Sequence, residues 1–163
     1  VDHFHPLYNI ENRNYLNEGN ELNMLNSFIE TMSKSESIFA EKEDGTKVNY
    51  YIFPEFEVHL NIIPAGTIQG WHMHNDIEEI LIVNDGEIRV ETIVDNKKKY
   101  KNCQKGELIR MNQSLHRILN LQNHEAAFSV FRFVPQGIDH REKIKNDKKS
   151  YTDDEVEAML KRM

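Results

Sequence analysis

An all-β core of short antiparallel strands, closed as a barrel or sandwich and flanked by a helix at each end, is the fold this 163-residue sequence predicts. Three observations carry it. Phe56, Val58, Leu60 and Ile62 alternate with Glu57, His59 and Asn61, the period-two pattern of a half-buried strand. From there to Val134 short apolar runs are broken by turn signals about every ten residues, which leaves no room for intervening helices. Helical spacing occurs only towards the two ends of the chain.

In chain order, residues 1–20 are polar and rich in asparagine, and His3 and His5 within them carry little weight. Leu22, Leu25, Phe28, Ile29 and Met32 then recur at helical spacing behind Asn20 as a cap, giving one amphipathic helix. After "EKEDGTK" the period-two strands begin, separated by "PAG" at 64–66, "NDG" at 84–86, "DNKKK" at 95–99, "QKG" at 104–106 and "QNHE" at 122–125. Beyond Pro135 comes a charged stretch. "TDDEVEAMLKRM" then offers Thr152 as an N-cap with Glu155 three residues on, acids in the first turn and bases in the last. Its Val156, Met159 and Leu160 share a face that suits either the barrel or a neighbouring subunit. The expected organisation is an N-terminal segment with a helix over 1–46, a barrel over 47–135, and a charged linker with a C-terminal helix over 136–163.

Composition narrows the function classes. A formal net charge of −7 argues against a nucleic-acid partner, which calls for a basic face. No apolar run approaches the roughly 18 residues of a membrane span. Cys103 is the only cysteine, so no internal disulfide framework exists, and "VDHFHPLYN" has neither the basic end nor the apolar stretch of a signal peptide. A reducing cytoplasm is the expected setting. Open sheet edges and spare amphipathic helix faces make a homodimer the expected assembly.

The chemistry is concentrated in "GTIQGWHMHNDIEEILIVNDG", residues 66–86. Residues two apart on a strand share a face, so His72 and His74 present two imidazoles side by side. After a turn through Asn75 and Asp76, either Glu78 or Glu79 brings a carboxylate to the same interior. If Glu79 points in, so do Leu81 and Val83; the opposite choice inverts every residue, and both faces are apolar. An isolated histidine on a strand is usually solvated or hydrogen-bonded, as expected for His59, His124 and His140. Two histidines with a carboxylate close behind instead match the ligand sets of catalytic zinc and non-heme iron sites.

This stretch resembles the first signature of the cupin superfamily, G-x5-H-x-H-x(3,4)-E-x6-G: Gly66, His72, His74, Glu79 and Gly86 fit at every fixed position. The pattern prefers Glu79 over Glu78, whose distance to Gly86 is one residue too long. "GELIRMNQSLHRILN" at 106–120 resembles the second signature, G-x5-P-x-G-x2-H-x3-N, through Gly106, His116 and Asn120. It departs from it where Asn112 replaces the proline and Ser114 the glycine, with one residue fewer before the histidine, so the turn there must be built differently. The resemblance covers about Phe56 to Val134.

The resemblance implies a double-stranded β-helix, the cupin or jelly-roll barrel, holding a divalent metal ion on His72, His74, Glu79 and His116. Iron, manganese, nickel, zinc and copper all suit such a set. Iron would support dioxygen chemistry on a diol or diketone; zinc, manganese or nickel would polarise a carbonyl for isomerisation. The partner is then a small-molecule substrate. A ligand-binding or sensing barrel without turnover, and a metal-free sugar epimerase or isomerase using histidine as acid or base, are the alternatives.

Further polar residues are candidates for substrate contacts. An inward arginine at 110, 117 or 132 would grip a carboxylate or phosphate. The parity that turns His116 inward sends Arg117 out. Arg132, flanked by Phe131 and Phe133, reads as a surface salt bridge or as a substrate contact. His59 and Asn61 share the polar face of the first long strand, read as a solvent face or as the lining of the barrel mouth. Trp71 reads as packing or interface.

Overall fold

The computed structural model describes residues 29–134 and 139–161. Most of the expected N-terminal helix lies outside the described residues; within them, 29–33 have no regular structure and a single 3-10 turn occupies Lys34–Glu36.

Two antiparallel sheets account for the core. The first takes the order β1, β2, β3, β10, β5, β8, formed by Ile38–Glu41, Lys47–Ile52, Phe56–Ile63, Ala126–Phe133, Glu78–Asp85 and Leu108–Arg110. The second takes the order β11, β4, β9, β6, β7, formed by Lys149–Tyr151, Trp71–Met73, His116–Leu119, Glu87–Val94 and Lys97–Gln104. β1 falls within the stretch 1–46 and pairs with β2. Between the sheets, Ile63, Leu81, Val83, Phe128 and Val130 of the first meet Ile88, Val90, Cys103 and Ile118 of the second. This apolar layer closes one part of the barrel.

Turn chemistry follows the sequence closely. Asp95 and Asn96 both have positive φ (51° and 57°) and join β6 to β7, whose ladder closes on Val94 and Lys97; this is the two-residue hairpin loop whose twist matches the strands. Gly86 sits at φ 71°, and a Cβ there would lie 3.1 Å from that of Ala126, so a side chain meets both strain and a neighbour. In the departed second signature, Asn112 and Gln113 take φ 50° and 56°, and the Ser114 N–H closes the turn on the Met111 carbonyl at 3.0 Å. The turn is thus made by two left-handed residues, Asn112 and Gln113, ahead of Ser114 at the glycine position.

The charged stretch after residue 138 holds more than a linker. Helix α1 (Arg141–Asn146) buries Ile144 against Ile77 and Val134, and β11 extends the second sheet by pairing with β4. Helix α2 (Asp153–Leu160) starts on the expected capping box: the Glu155 N–H donates to Thr152 Oγ1 at 3.2 Å and the Thr152 N–H to Glu155 Oε2 at 2.6 Å. The helix packs on its own barrel. Val156 is buried, and the helix closes a small cleft with Trp71 and Arg117 on the outer side of the second sheet. Trp71 is therefore packing, lying under α2 and the Arg117 guanidinium 4.6 Å from its ring. Among the described residues no helix is long and apolar enough to cross a membrane.

Candidate metal centre

Parity along β5 is resolved as the glycine spacing requires. Glu79, Leu81 and Val83 are buried inside, while Glu78 pairs on the outside with Arg110 at 2.7 and 2.9 Å. Opposite, on the second sheet, His72 of β4 and His116 of β9 are direct cross-strand partners with ring centroids 4.4 Å apart. His74 lies one residue past β4, its ring 5.4 Å from that of His72. All four residues are at most 8% exposed.

The loop that carries His74 towards Glu79 is anchored from the C-terminal segment. The Asp147 carboxylate accepts the N–H groups of Asn75 and Asp76 at 2.7 and 3.1 Å, and Ile77 is buried beneath α1. Asn120, fully buried, donates to the Ile63 and His124 carbonyls at 3.0 and 2.8 Å and accepts the Gln122 N–H at 3.0 Å. It fixes the chain just beyond His116.

Hydrogen bonds select the tautomers. The Nδ1–H of His72 donates to the Gly70 carbonyl at 3.1 Å, and that of His116 to the Ser114 carbonyl at 2.8 Å. Each Nε2 then carries a lone pair, as a metal ligand requires. His116 Nε2 lies 3.2 Å from Glu79 Oε1. With a lone pair on that nitrogen both atoms are acceptors, and either a proton or a metal ion between them satisfies the contact. His74 Nε2 lies 3.3 Å from Glu79 Oε2, near enough to feel the carboxylate but misaligned for a hydrogen bond. Among the described residues neither buried ring nitrogen of His74 has a hydrogen-bond partner, which is costly unless something else binds there.

Charge states also suit an ion. Burial holds the His72 imidazole well below the ordinary histidine value, and His116 adds to the effect. Burial likewise lowers His74 against the opposing pull of Glu79. For Glu79, burial works to raise the carboxyl, but Arg132 and the two nearby imidazoles outweigh it and leave the group well below the usual carboxylate range. Neutral imidazoles beside an ionised carboxylate are the protonation states that metal ligation needs. The ligand atoms of His72, His74 and Glu79 lie within 4.8 Å of one another. These three residues are positioned to hold a metal ion.

The polar face of β3 is turned inward, which inverts the simple expectation of a solvent face. Glu57, His59 and Asn61 are 1%, 3% and 6% exposed, whereas Phe56 and Leu60 on the other face are 41% and 36% exposed. His59 Nε2 bonds Glu57 Oε2 at 2.8 Å, and the ring meets Tyr50 edge-on with centroids 4.5 Å apart. Arg132 is no surface salt bridge: its Nε donates to Glu79 Oε2 at 2.5 Å inside the barrel. Arg117 faces out as parity requires and pairs with Glu91 at 2.8 Å. Glu57 and Tyr50 were not singled out from sequence. For Glu57 the signal was present, since it lies two residues from His59 and shares its face.

The two antiparallel sheets agree with the structural comparisons. The chain has a cupin fold. It is similar to a Bacillus subtilis oxalate decarboxylase mutant (TM-score 0.55, 18% identity, 64% of this chain and 29% of that one). It is also similar to the capsular polysaccharide assembling protein CapF from Staphylococcus aureus (0.53, 18%, 63% and 30%), and to Drosophila melanogaster CENP-C bound to CAL1 (0.56, 19%, 63% and 84%). The chain spans under a third of the decarboxylase and of CapF. No protein-family model matches the sequence, nor does any curated protein. Likeness at this identity carries the cupin barrel and no activity, because one fold hosts many functions.

Proposed function

We propose that this cupin is a metal-dependent enzyme acting on a small molecule, a dioxygenase or an isomerase, with one divalent ion held by His72, His74, Glu79 and His116. The observation that carries the reading is the buried convergence of His72, His74 and an ionised Glu79, whose ligand atoms lie within 4.8 Å of one another, with the His74 nitrogens otherwise unpartnered and His116 Nε2 3.2 Å from Glu79 Oε1. Four protein ligands leave a five- or six-coordinate ion open to substrate, unlike a closed structural zinc. Bound there, iron supports dioxygen chemistry, whereas zinc, manganese or nickel polarises a carbonyl. His59, Asn61 and Arg132 face the same interior and are the proposed substrate contacts. The buried Cys103 thiol fits a reducing cytoplasm, and a homodimer would cover the exposed Phe56, Leu60 and Phe131.

Titrating metal-free protein separately with Fe(II), Mn(II), Ni(II) and Zn(II) tests the proposal. The expected result is one ion per chain, bound with micromolar or tighter affinity for at least one metal. Turnover of diols, diketones and hydroxy-ketones under air and under argon then separates the two reaction classes. Failure to bind any of the four metals would overturn the proposal.

A further inference from the structure

We infer that Arg132 is a positioning residue for Glu79: it holds the carboxylate through Oε2 and so sets how its two oxygens are presented to the ion, with the Glu57–His59 pair opposite it on the next strand. The inference rests on the metal reading above and goes beyond it, from the ligands to what orients them.

The arrangement starts in the strand register. Arg132 on β10 stands directly opposite Glu57 on β3 and directly opposite Glu79 on β5. The three side chains therefore form one row on the inner face. With strands spaced by about 4.8 Å, the two carboxyl-bearing positions are roughly 10 Å apart and the guanidinium stands between them. Arg132 Nε donates to Glu79 Oε2, while Glu79 Oε1 faces His116 Nε2 at 3.2 Å. Oε2 also lies 3.3 Å from His74 Nε2, so Arg132 and His74 share one oxygen while His116 meets the other. On the other side Glu57 is fixed by His59, whose ring is in turn held against Tyr50. A row of polar side chains, Glu57 with its partner His59, then Arg132 and Glu79, crosses three strands and ends on the carboxylate of the metal site. Groups that hold a ligand in this way tune metal affinity even though they never touch the ion.

Two roles for Arg132 predict opposite results. If it were only a buried positive charge, it would repel a dication, and neutralising it would tighten metal binding. If it orients Glu79, neutralising it loosens binding, because the carboxylate loses the partner that sets Oε2 beside His74 and Oε1 toward His116. Orientation is expected to win, by about 10- to 100-fold in affinity, as for other groups that hold a ligand in place.

The test is Co(II) binding by the full chain, measured by chelator competition and by the visible spectrum, in wild type, Arg132→Met, Arg132→Lys and Glu57→Gln. Arg132→Met should bind Co(II) about 10- to 100-fold more weakly and with a changed spectrum. Arg132→Lys, which keeps a donor and the charge, should recover most of both. Glu57→Gln should shift the spectrum in the same direction as Arg132→Met. Equal or tighter binding by a folded Arg132→Met with the wild-type spectrum would overturn the inference. Should Arg132→Met lack the wild-type near-ultraviolet circular dichroism, the other two variants decide. A spectral shift in Glu57→Gln together with near-wild-type Arg132→Lys supports the inference; a wild-type spectrum in Glu57→Gln overturns it. Wild type that binds no Co(II) would instead overturn the metal reading, and this inference with it.

Discussion

Replacing His72 and His74 together with alanine removes divalent-metal binding while leaving the barrel folded. Structural zinc sites are worth about 10–16 kcal/mol, which shared over four ligands is roughly 3 kcal/mol each, so two imidazoles account for an affinity factor on the order of ten thousand. The fold is expected to survive because neither side chain belongs to the apolar layer of Ile63, Leu81, Ile88 and Phe128. Both are buried imidazoles held below their ordinary pKa, so their removal also relieves desolvation. The check is elemental analysis beside far-ultraviolet circular dichroism, with His124→Ala, in an exposed loop, as the control that keeps its metal. Metal retained at wild-type occupancy by the double variant would mean that the ion binds elsewhere.

Acid destabilises the metal-free protein well above the pH at which carboxylates protonate. Burial, only partly offset by the bond to Glu57, lowers the His59 imidazole from 6.5 to about 4. Between those values the unfolded chain binds a proton that the folded chain does not, so stability present above pH 6.5 is lost as pH falls towards 4. A difference of that size corresponds to about 3 kcal/mol, a large part of the 5–15 kcal/mol typical of a domain. His72 and His74 act with the same sign. Glu79, lowered instead, contributes stability that is present above its unfolded value of 4.5 and fades only below it. Urea denaturation at pH 7 and pH 4.5 should show the loss, and His59→Gln should remove a substantial share of it. An unchanged pH dependence in that variant would place the acid sensitivity elsewhere.

Much of the site was legible because cupin signatures are backbone requirements as well as side-chain choices. Gly66, Gly86 and Gly106 all take positive φ, and the distance to Gly86 in the first signature favoured Glu79 as the inward glutamate when the apolar pattern of β5 was indecisive. The second signature was readable through His116 and Asn120 in spite of its altered turn, since Asn112 and Ser114 are themselves turn-forming residues and Asn112 takes up the left-handed conformation there. What periodicity misread was the inside of the first sheet. Alternation assumes an apolar interior, yet near the site the interior is polar, so Glu57, His59 and Asn61 point in and Phe56 and Leu60 point out. The same inversion hid Arg132 between Phe131 and Phe133: only the cross-strand partner Glu79 shows why a charge sits there. The C-terminal stretch was opaque for another reason. Helix α1 buries only Ile144, and a single apolar residue gives no period to read.

One divalent ion is expected among His72, His74, Glu79 and His116. Anomalous diffraction at the absorption edge of the bound metal, from crystals of protein purified without affinity tag or chelators, tests it most directly. One strong peak is expected about 2.0–2.2 Å from a nitrogen of each histidine and an oxygen of Glu79. Metal-supplemented crystals with no anomalous peak among these four side chains would contradict it.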